Sequence, residues 1–236
     1  HPLAGYDTGT VELGSFAGAD GTVFYTRLVK PSSFDAAKKY PVVVYVYGGP
    51  HTQLVQNAWA PVLDSFLASK GFLVWSLDGR GSWGRGHAFE TPILKNMGAQ
   101  ELKDQLEGIA QLKKRPYVDG ARIGITGWSY GGYMTLYAAT RAGATFKCAA
   151  AGAPVVDWTL YDSIYTERYM GLPADNREGY DKGSAMQYAD NLRGRLLLYY
   201  GTADNNVHPT NSLQLIQALT RAGKSFEVQV GPDLGH

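Results

Sequence analysis

The stretch Arg122-Ile123-Gly124-Ile125-Thr126-Gly127-Trp128-Ser129-Tyr130-Gly131-Gly132-Tyr133-Met134 decides how the rest of the chain is read. It opens on an apolar run, Ile123 to Thr126, too short and too continuous for a half-exposed strand, and passes through glycine into a helical pattern. Between the two lies G-x-S-x-G. The pattern alone is weak, and its place between a strand and a helix carries the weight. A turn tight enough to lift a serine hydroxyl above a sheet leaves no room for side chains two residues to either side. Gly127 and Gly131 meet that need. Such a turn also aims the Tyr130 amide and the helix N-terminus at the reacting centre, where an oxyanion would develop. The plainer alternative is a glycine-rich connection with an exposed serine.

Working outward, similar apolar runs occur at Val42 to Tyr47, Phe72 to Leu77, Cys148 to Ala151, Leu196 to Tyr200 and Phe226 to Val230. Their continuity suits a sheet buried on both faces. Residues 10–17 and 22–29 alternate around Ala19-Asp20-Gly21, which predicts an antiparallel hairpin at the N-terminal side. Leu102, Leu106, Ile109 and Leu112 have helical spacing, stopped by Pro116, and a second helix is predicted from about Thr210 to Ala222 with Gly223 as its cap. Strands alternating with helices predict an α/β domain with a mainly parallel sheet. Residues 153–194, rich in Tyr, Gly and Asp, read as an irregular insertion over the strand ends, where such sheets bind ligands. No repeat or linker divides the chain, so residues 1–236 read as one domain.

The 236 residues carry 22 basic against 21 acidic side chains, and only 18% are charged. That balance lacks the basic field that nucleic acid or an anionic membrane surface demands, so neither is an expected partner. No apolar run approaches the length of a membrane span, and no membrane segment is expected in this chain. The single Cys148 rules out an intrachain disulfide and leaves the compartment unread. His1 stands where Met would open a whole protein, so the sequence reads as an excised piece.

Serine is a weak nucleophile at neutral pH unless a neighbouring base takes its proton. On a strand–serine–helix turn the partners are sought in the order Ser, acid, His. After the run ending at Tyr200, Gly201-Thr202-Ala203-Asp204-Asn205-Asn206-Val207-His208 places Asp204 at a strand's C-terminal end. After the last run, Gly231-Pro232-Asp233-Leu234-Gly235-His236 presents a histidine at the same edge. Ser129, Asp204 and His236 are therefore the candidate nucleophile, acid and base. Asp204 could instead only shape its loop. His208 would have to turn back on Asp204 within one short loop, His51 and His87 precede the serine turn, and His1 is terminal. No histidine pair has metal-site spacing, so no metal is expected. Gly79-Arg80-Gly81-Ser82-Trp83-Gly84 matches a dinucleotide fingerprint, but no apolar-faced helix follows it and no cofactor is expected.

These residues resemble a known family. Val46-Tyr47-Gly48-Gly49-Pro50, Asp78 to Gly86, Gly127 to Gly132, Tyr161-Asp162-Ser163 through Tyr169-Met170-Gly171, and Gly201 to Asp204 are similar to the catalytic domain of the prolyl oligopeptidase family of serine peptidases, in its dipeptidyl peptidase IV branch. The resemblance runs from about residue 10 to 236 and implies an α/β-hydrolase fold with helices on both faces of the sheet. It implies that Ser129, Asp204 and His236 form the triad and that the Tyr47 phenol joins the Tyr130 amide in the oxyanion hole. A phenol suits that role because it donates a hydrogen bond without carrying charge. The resemblance also implies a pocket for proline or alanine lined by Tyr130, Val155, Trp158, Tyr161, Tyr165 and Val207, with Asn206 bonding the carbonyl of the first substrate residue. Flat aromatics suit a pyrrolidine ring. Read without the resemblance, Tyr161, Tyr165 and Tyr169 share one face of an amphipathic core helix.

The expected reaction is release of N-terminal dipeptides after proline or alanine through an acyl-enzyme on Ser129. An acylaminoacyl peptidase, an oligopeptidase or an esterase on the same fold, and a non-catalytic binding relative, stand as alternatives. Family members carry an upstream β-propeller holding the groups that grip the substrate's α-amino end, and continue past the histidine into a final helix. Neither segment is in this sequence. His236, at the chain's end, is therefore expected to sit loosely or out of place. The family also implies a homodimeric parent that is periplasmic, secreted or membrane-anchored, with a cytoplasmic one left open.

Overall fold

The computed structural model describes residues 5–236, so His1 lies outside the described residues. Eight strands form one sheet: β1 (Thr10–Ala17), β2 (Val23–Lys30), β3 (Tyr40–Tyr45), β4 (Leu73–Asp78), β5 (Val118–Trp128), β6 (Cys148–Gly152), β7 (Arg195–Gly201) and β8 (Glu227–Gly231). The hairpin forms where Asp20-Gly21 predicts it. Thr22 N donates to Asp20 Oδ1 at 3.0 Å, Gly21 takes φ 82°, and Ala17 pairs with Val23. Antiparallel pairing ends at β2–β4, and every later pairing is parallel.

The strand order β1-β2-β4-β3-β5-β6-β7-β8 reverses direction at β3. From β3 the chain moves outward to β4 through helix α1 (Val62–Ser69), and then returns across β3 to β5. The return passes α2 (His87–Glu90) and α3 (Ala99–Leu112); α4 (Tyr130–Arg141), α5 (Ser163–Met170), α6 (Arg177–Gly183) and α7 (Thr210–Arg221) follow. Neighbouring strand residues face opposite sides. Val74 joins a small cluster with Val29 and Ala68 of α1, whereas Leu73 and Trp75 belong to the main core with residues of α3, α4 and α7. Helix α1 thus lies on one face and α3, α4 and α7 on the other. The crevice between the β3 and β5 ends is the switch point where open α/β sheets hold ligands.

Two expectations on elements need adjustment. Residues 153–194 are more ordered than the irregular insertion expected, with α5 and α6 inside them. Asp162 opens α5 by accepting from Tyr165 N at 2.8 Å, the local signal for that helix. Helix α1 has no counterpart among the elements expected from the sequence. No helix among the described residues is long and apolar enough to cross a membrane.

Candidate active site

Ser129 sits between β5 and α4 at φ 60° and ψ −118°, a left-handed conformation that costs a non-glycine residue about 1–3 kcal/mol. Its backbone is held on both sides. Ser129 N donates to Gly152 O and Tyr133 N donates to Ser129 O, each at 2.9 Å. A Cβ on Gly127 would lie 2.3 Å from Val46 O, and one on Gly131 would lie 2.2 Å from the same carbonyl. The two glycines are needed because the chain leaving β3, at Val46, runs directly beneath the turn. Tyr130 opens α4, so its amide has no intrahelical acceptor and is free to donate beside the serine.

Asp204 follows β7 and is 2% exposed. Its Oδ1 accepts from Asn206 N and Val207 N, both at 2.9 Å, and its Oδ2 lies 2.8 Å from His236 Nδ1. The aspartate thus shapes its loop and holds a histidine at once. A carboxylate only accepts hydrogen bonds, so the facing Nδ1 carries the proton and Nε2 is left as the basic nitrogen. The His236 ring also meets the Trp128 ring edgewise at 6.3 Å. Against the expectation of a loose or displaced histidine, the His236 ring is hydrogen-bonded, among the described residues, on its Asp204 side alone. The link from histidine to serine is not closed: among the described residues no hydrogen bond joins Ser129 to His236. His208 turns away, with Nδ1 2.7 Å from Thr210 Oγ1 at the start of α7.

A cavity of about 100 Å³ opens beside the serine, walled by Tyr47, Tyr130, Val155, Trp158, Tyr161, Tyr165 and Asn206. Trp158 and Tyr165 lie nearly parallel, 6.2 Å apart, and Tyr161 stands at 81° to one and 87° to the other. The Tyr161 phenol donates to Asn206 Oδ1 at 2.6 Å, which leaves the Asn206 amide NH₂ as the donor end. Tyr161 precedes α5 and Tyr165 lies on it; both line the cavity, so the helical face expected for three tyrosines holds only for Tyr165 and Tyr169. Val207 is the one named pocket residue that does not line the cavity; it is buried in the core and its amide holds Asp204. Burial raises the Tyr47, Tyr161 and Tyr165 phenols above their ordinary value, which keeps them neutral donors at physiological pH. A larger groove of about 430 Å³ lies elsewhere, on the α1 face of the sheet between Leu63, Leu67, Val43 and Leu197.

Sequence reasoning missed Glu101. It is 1% exposed, and its Oε1 accepts from the Tyr130 phenol at 2.6 Å. Burial drives its carboxyl up to about 7, against the opposing effect of hydrogen bonds from Tyr130 and Gly98. Its spacing from Gly98 is that of a helix-capping glutamate, and Gly98 N does donate to Oε2 at 2.8 Å. The phenol contact left no signal in the sequence.

The prolyl oligopeptidase family model matches residues 63–236. The chain is 43% identical over 232 residues to human dipeptidyl peptidase 8, covering 95% of this chain and 26% of that protein. It is 42% identical over 220 residues to pig dipeptidyl peptidase 4, covering 92% of this chain and 29% of that protein. The crystal structure of Porphyromonas gingivalis dipeptidyl peptidase 4 superposes with a TM-score of 0.95 at 39% identity, over 100% of this chain and 33% of that one. The chain thus spans about a quarter to a third of the proteins it matches.

Proposed function

Because the chain belongs to the prolyl oligopeptidase family, with the α/β-hydrolase fold of its serine peptidases, we propose that it is the catalytic domain of a dipeptidyl peptidase that cleaves after proline or alanine. One observation supports this above the rest. Asp204, itself pinned by two backbone amides, holds His236 by Nδ1 at the sheet edge where β5 delivers Ser129.

In the proposed reaction His236 Nε2 takes the Ser129 proton as Oγ attacks the carbonyl after the second substrate residue. The new C–O bond pushes the carbonyl electrons onto oxygen, where the Tyr130 amide and the Tyr47 phenol donate to it. The C–N bond then breaks as His236 returns the proton to the leaving amine. Water, deprotonated by the same nitrogen, attacks the ester and frees Ser129. Asp204 stabilises the imidazolium formed at each step. Ser129 and His236 share no hydrogen bond among the described residues, and catalytic pairs commonly tighten when substrate arrives. The perpendicular aromatic cavity fits a pyrrolidine ring, which offers apolar faces and no N–H to satisfy. Asn206 presents an NH₂ to the carbonyl of the first substrate residue.

The groups that would hold the substrate's free amino end belong, on this reading, to the upstream propeller of the parent protein, and a homodimer rests on the same family likeness. Ser129→Ala in the full-length protein should abolish fluorophosphonate labelling, and persistent labelling would remove Ser129 as nucleophile. The wild type should cleave Xaa-Pro substrates with a free N-terminus. Preference for blocked N-termini would favour an acylaminoacyl peptidase or oligopeptidase instead.

A further inference from the structure

The Tyr130 ring occupies a slot with little slack. A Cβ on Gly49 would lie 2.5 Å from Tyr130 Cγ, and the Trp158, Tyr133 and Tyr47 rings stand 5.3, 5.3 and 5.8 Å away. The residue has two duties in the proposed site. Its ring walls the cavity, and its backbone amide, adjacent to Ser129, donates to the oxyanion. Ring and amide share one Cα, so whatever fixes the ring also fixes the amide.

At the far end of the ring the phenol meets Glu101 Oε1, in the first turn of α3. Glycine has no side chain, so only half of a capping box exists here: Glu101 Oε2 takes the Gly98 amide, and nothing returns from Gly98. The start of α3 is itself anchored. Asp104, fully buried, receives Arg80 N at 2.7 Å and Arg80 Nη2 at 2.5 Å from the loop after β4. A rigid path therefore runs from that loop through α3 and the Glu101 carboxylate to the residue beside the nucleophile. A buried carboxylate is an expensive strut, since a neutral or apolar side chain would pack the same space without the desolvation cost.

We propose that Glu101 is a positioning residue: by holding the Tyr130 phenol it sets both the oxyanion-hole amide and the wall of the cavity that takes the substrate's second residue. The inference rests on the peptidase reading above. Its effect belongs mainly to the transition state, where a donor displaced by a fraction of an ångström loses most of its value, so kcat should change more than KM.

The test uses the full-length protein, with rates expressed per serine labelled by fluorophosphonate, so that loss of folded enzyme drops out. Glu101→Leu should lower kcat for Xaa-Pro substrates about tenfold or more and shift the preference between proline and alanine at the second position. Glu101→Gln, which keeps an acceptor for the phenol, should recover part of the loss and serves if the leucine variant does not fold. Tyr130→Phe should reproduce the defect, and combining it with Glu101→Leu should add little, because each removes the same contact. Unchanged rates and preference per labelled serine in both Glu101 variants, or losses that multiply in the double variant, would overturn the proposal. If the wild type itself fails to label at Ser129, the peptidase reading falls and takes this role with it. Normal wild-type labelling with unaltered variants removes this inference alone.

Discussion

Asp204→Asn separates catalysis from stability at a single atom. Asparagine keeps a carbonyl oxygen where Oδ1 accepts from Asn206 N and Val207 N at 2.9 Å, so the loop after β7 retains both bonds. At the other position an NH₂ replaces Oδ2, 2.8 Å from His236 Nδ1. Two donors cannot share that contact, so the imidazole shifts to the tautomer with its proton on Nε2, and that nitrogen can no longer take the proton proposed to come from Ser129. The loss expected for such a tautomer trap is about 10⁴-fold in kcat, or roughly 5.5 kcal/mol. Stability should fall by no more than about 1–2 kcal/mol, since one charge-assisted contact becomes neutral. Asp204→Ala makes the contrast: it leaves two amides unpaired beneath a buried loop, at about 1–3 kcal/mol each, and should damage fold and rate together. Steady-state hydrolysis of an Xaa-Pro anilide, beside denaturant unfolding of the same samples, reads both quantities. A kcat for Asp204→Asn within tenfold of wild type would refute the assignment of Asp204 and His236 as a coupled pair.

Two further outcomes follow from the same geometry. Tyr47→Phe removes the phenol proposed as an oxyanion donor and should cost about 3–4 kcal/mol in kcat with KM little changed; an unaltered turnover would take Tyr47 out of the site. Glu101 has its carboxyl raised in the folded chain from an ordinary 4.5 to about 7, so its contribution is fully present at acid pH and drains away as pH rises through about 7. Relative to Glu101→Gln, the wild type should therefore lose about 3 kcal/mol of stability between roughly pH 4.5 and 8, and parallel pH profiles would show that the buried carboxyl titrates normally.

Most of the sheet was legible because its strands are continuous apolar runs, and the hairpin because Asp20-Gly21 specifies a turn. The placement of Ser129, Asp204 and His236 was legible for a different reason, namely that each follows a strand that ends at the same edge. What escaped notice breaks the rule that apolar faces point inward. In α1 the buried residues are Asp64 and Ala68, while Val62 is 87% and Phe66 54% exposed. Asp64 is buried because it pairs with Arg27 of β2 at 2.6 Å, a partner 37 residues away that no local pattern reveals. Glu101 escaped in the same way. The face of α3 marked by Leu102, Ile109 and Leu112 is the core face, but Glu101 and Asp104 are also buried, through bonds to Tyr130 and Arg80.

The strained serine shows why the site needs the whole sheet. A left-handed residue persists only when its surroundings over-determine it. Here β6 supplies the acceptor for Ser129 N through Gly152, the residue after β3 presses Val46 O against Gly127 and Gly131, and α4 returns a bond from Tyr133. Those contacts come from strands flanking β5 on both sides, at the point where the strand order reverses. Reversal matters because it sends α1 to one face and α3 to the other, leaving the ends of β3 and β5 uncovered. A sheet that ran in simple order would carry a helix across that gap, and the hydroxyl, the Tyr47 phenol and the aromatic cavity would have no common opening.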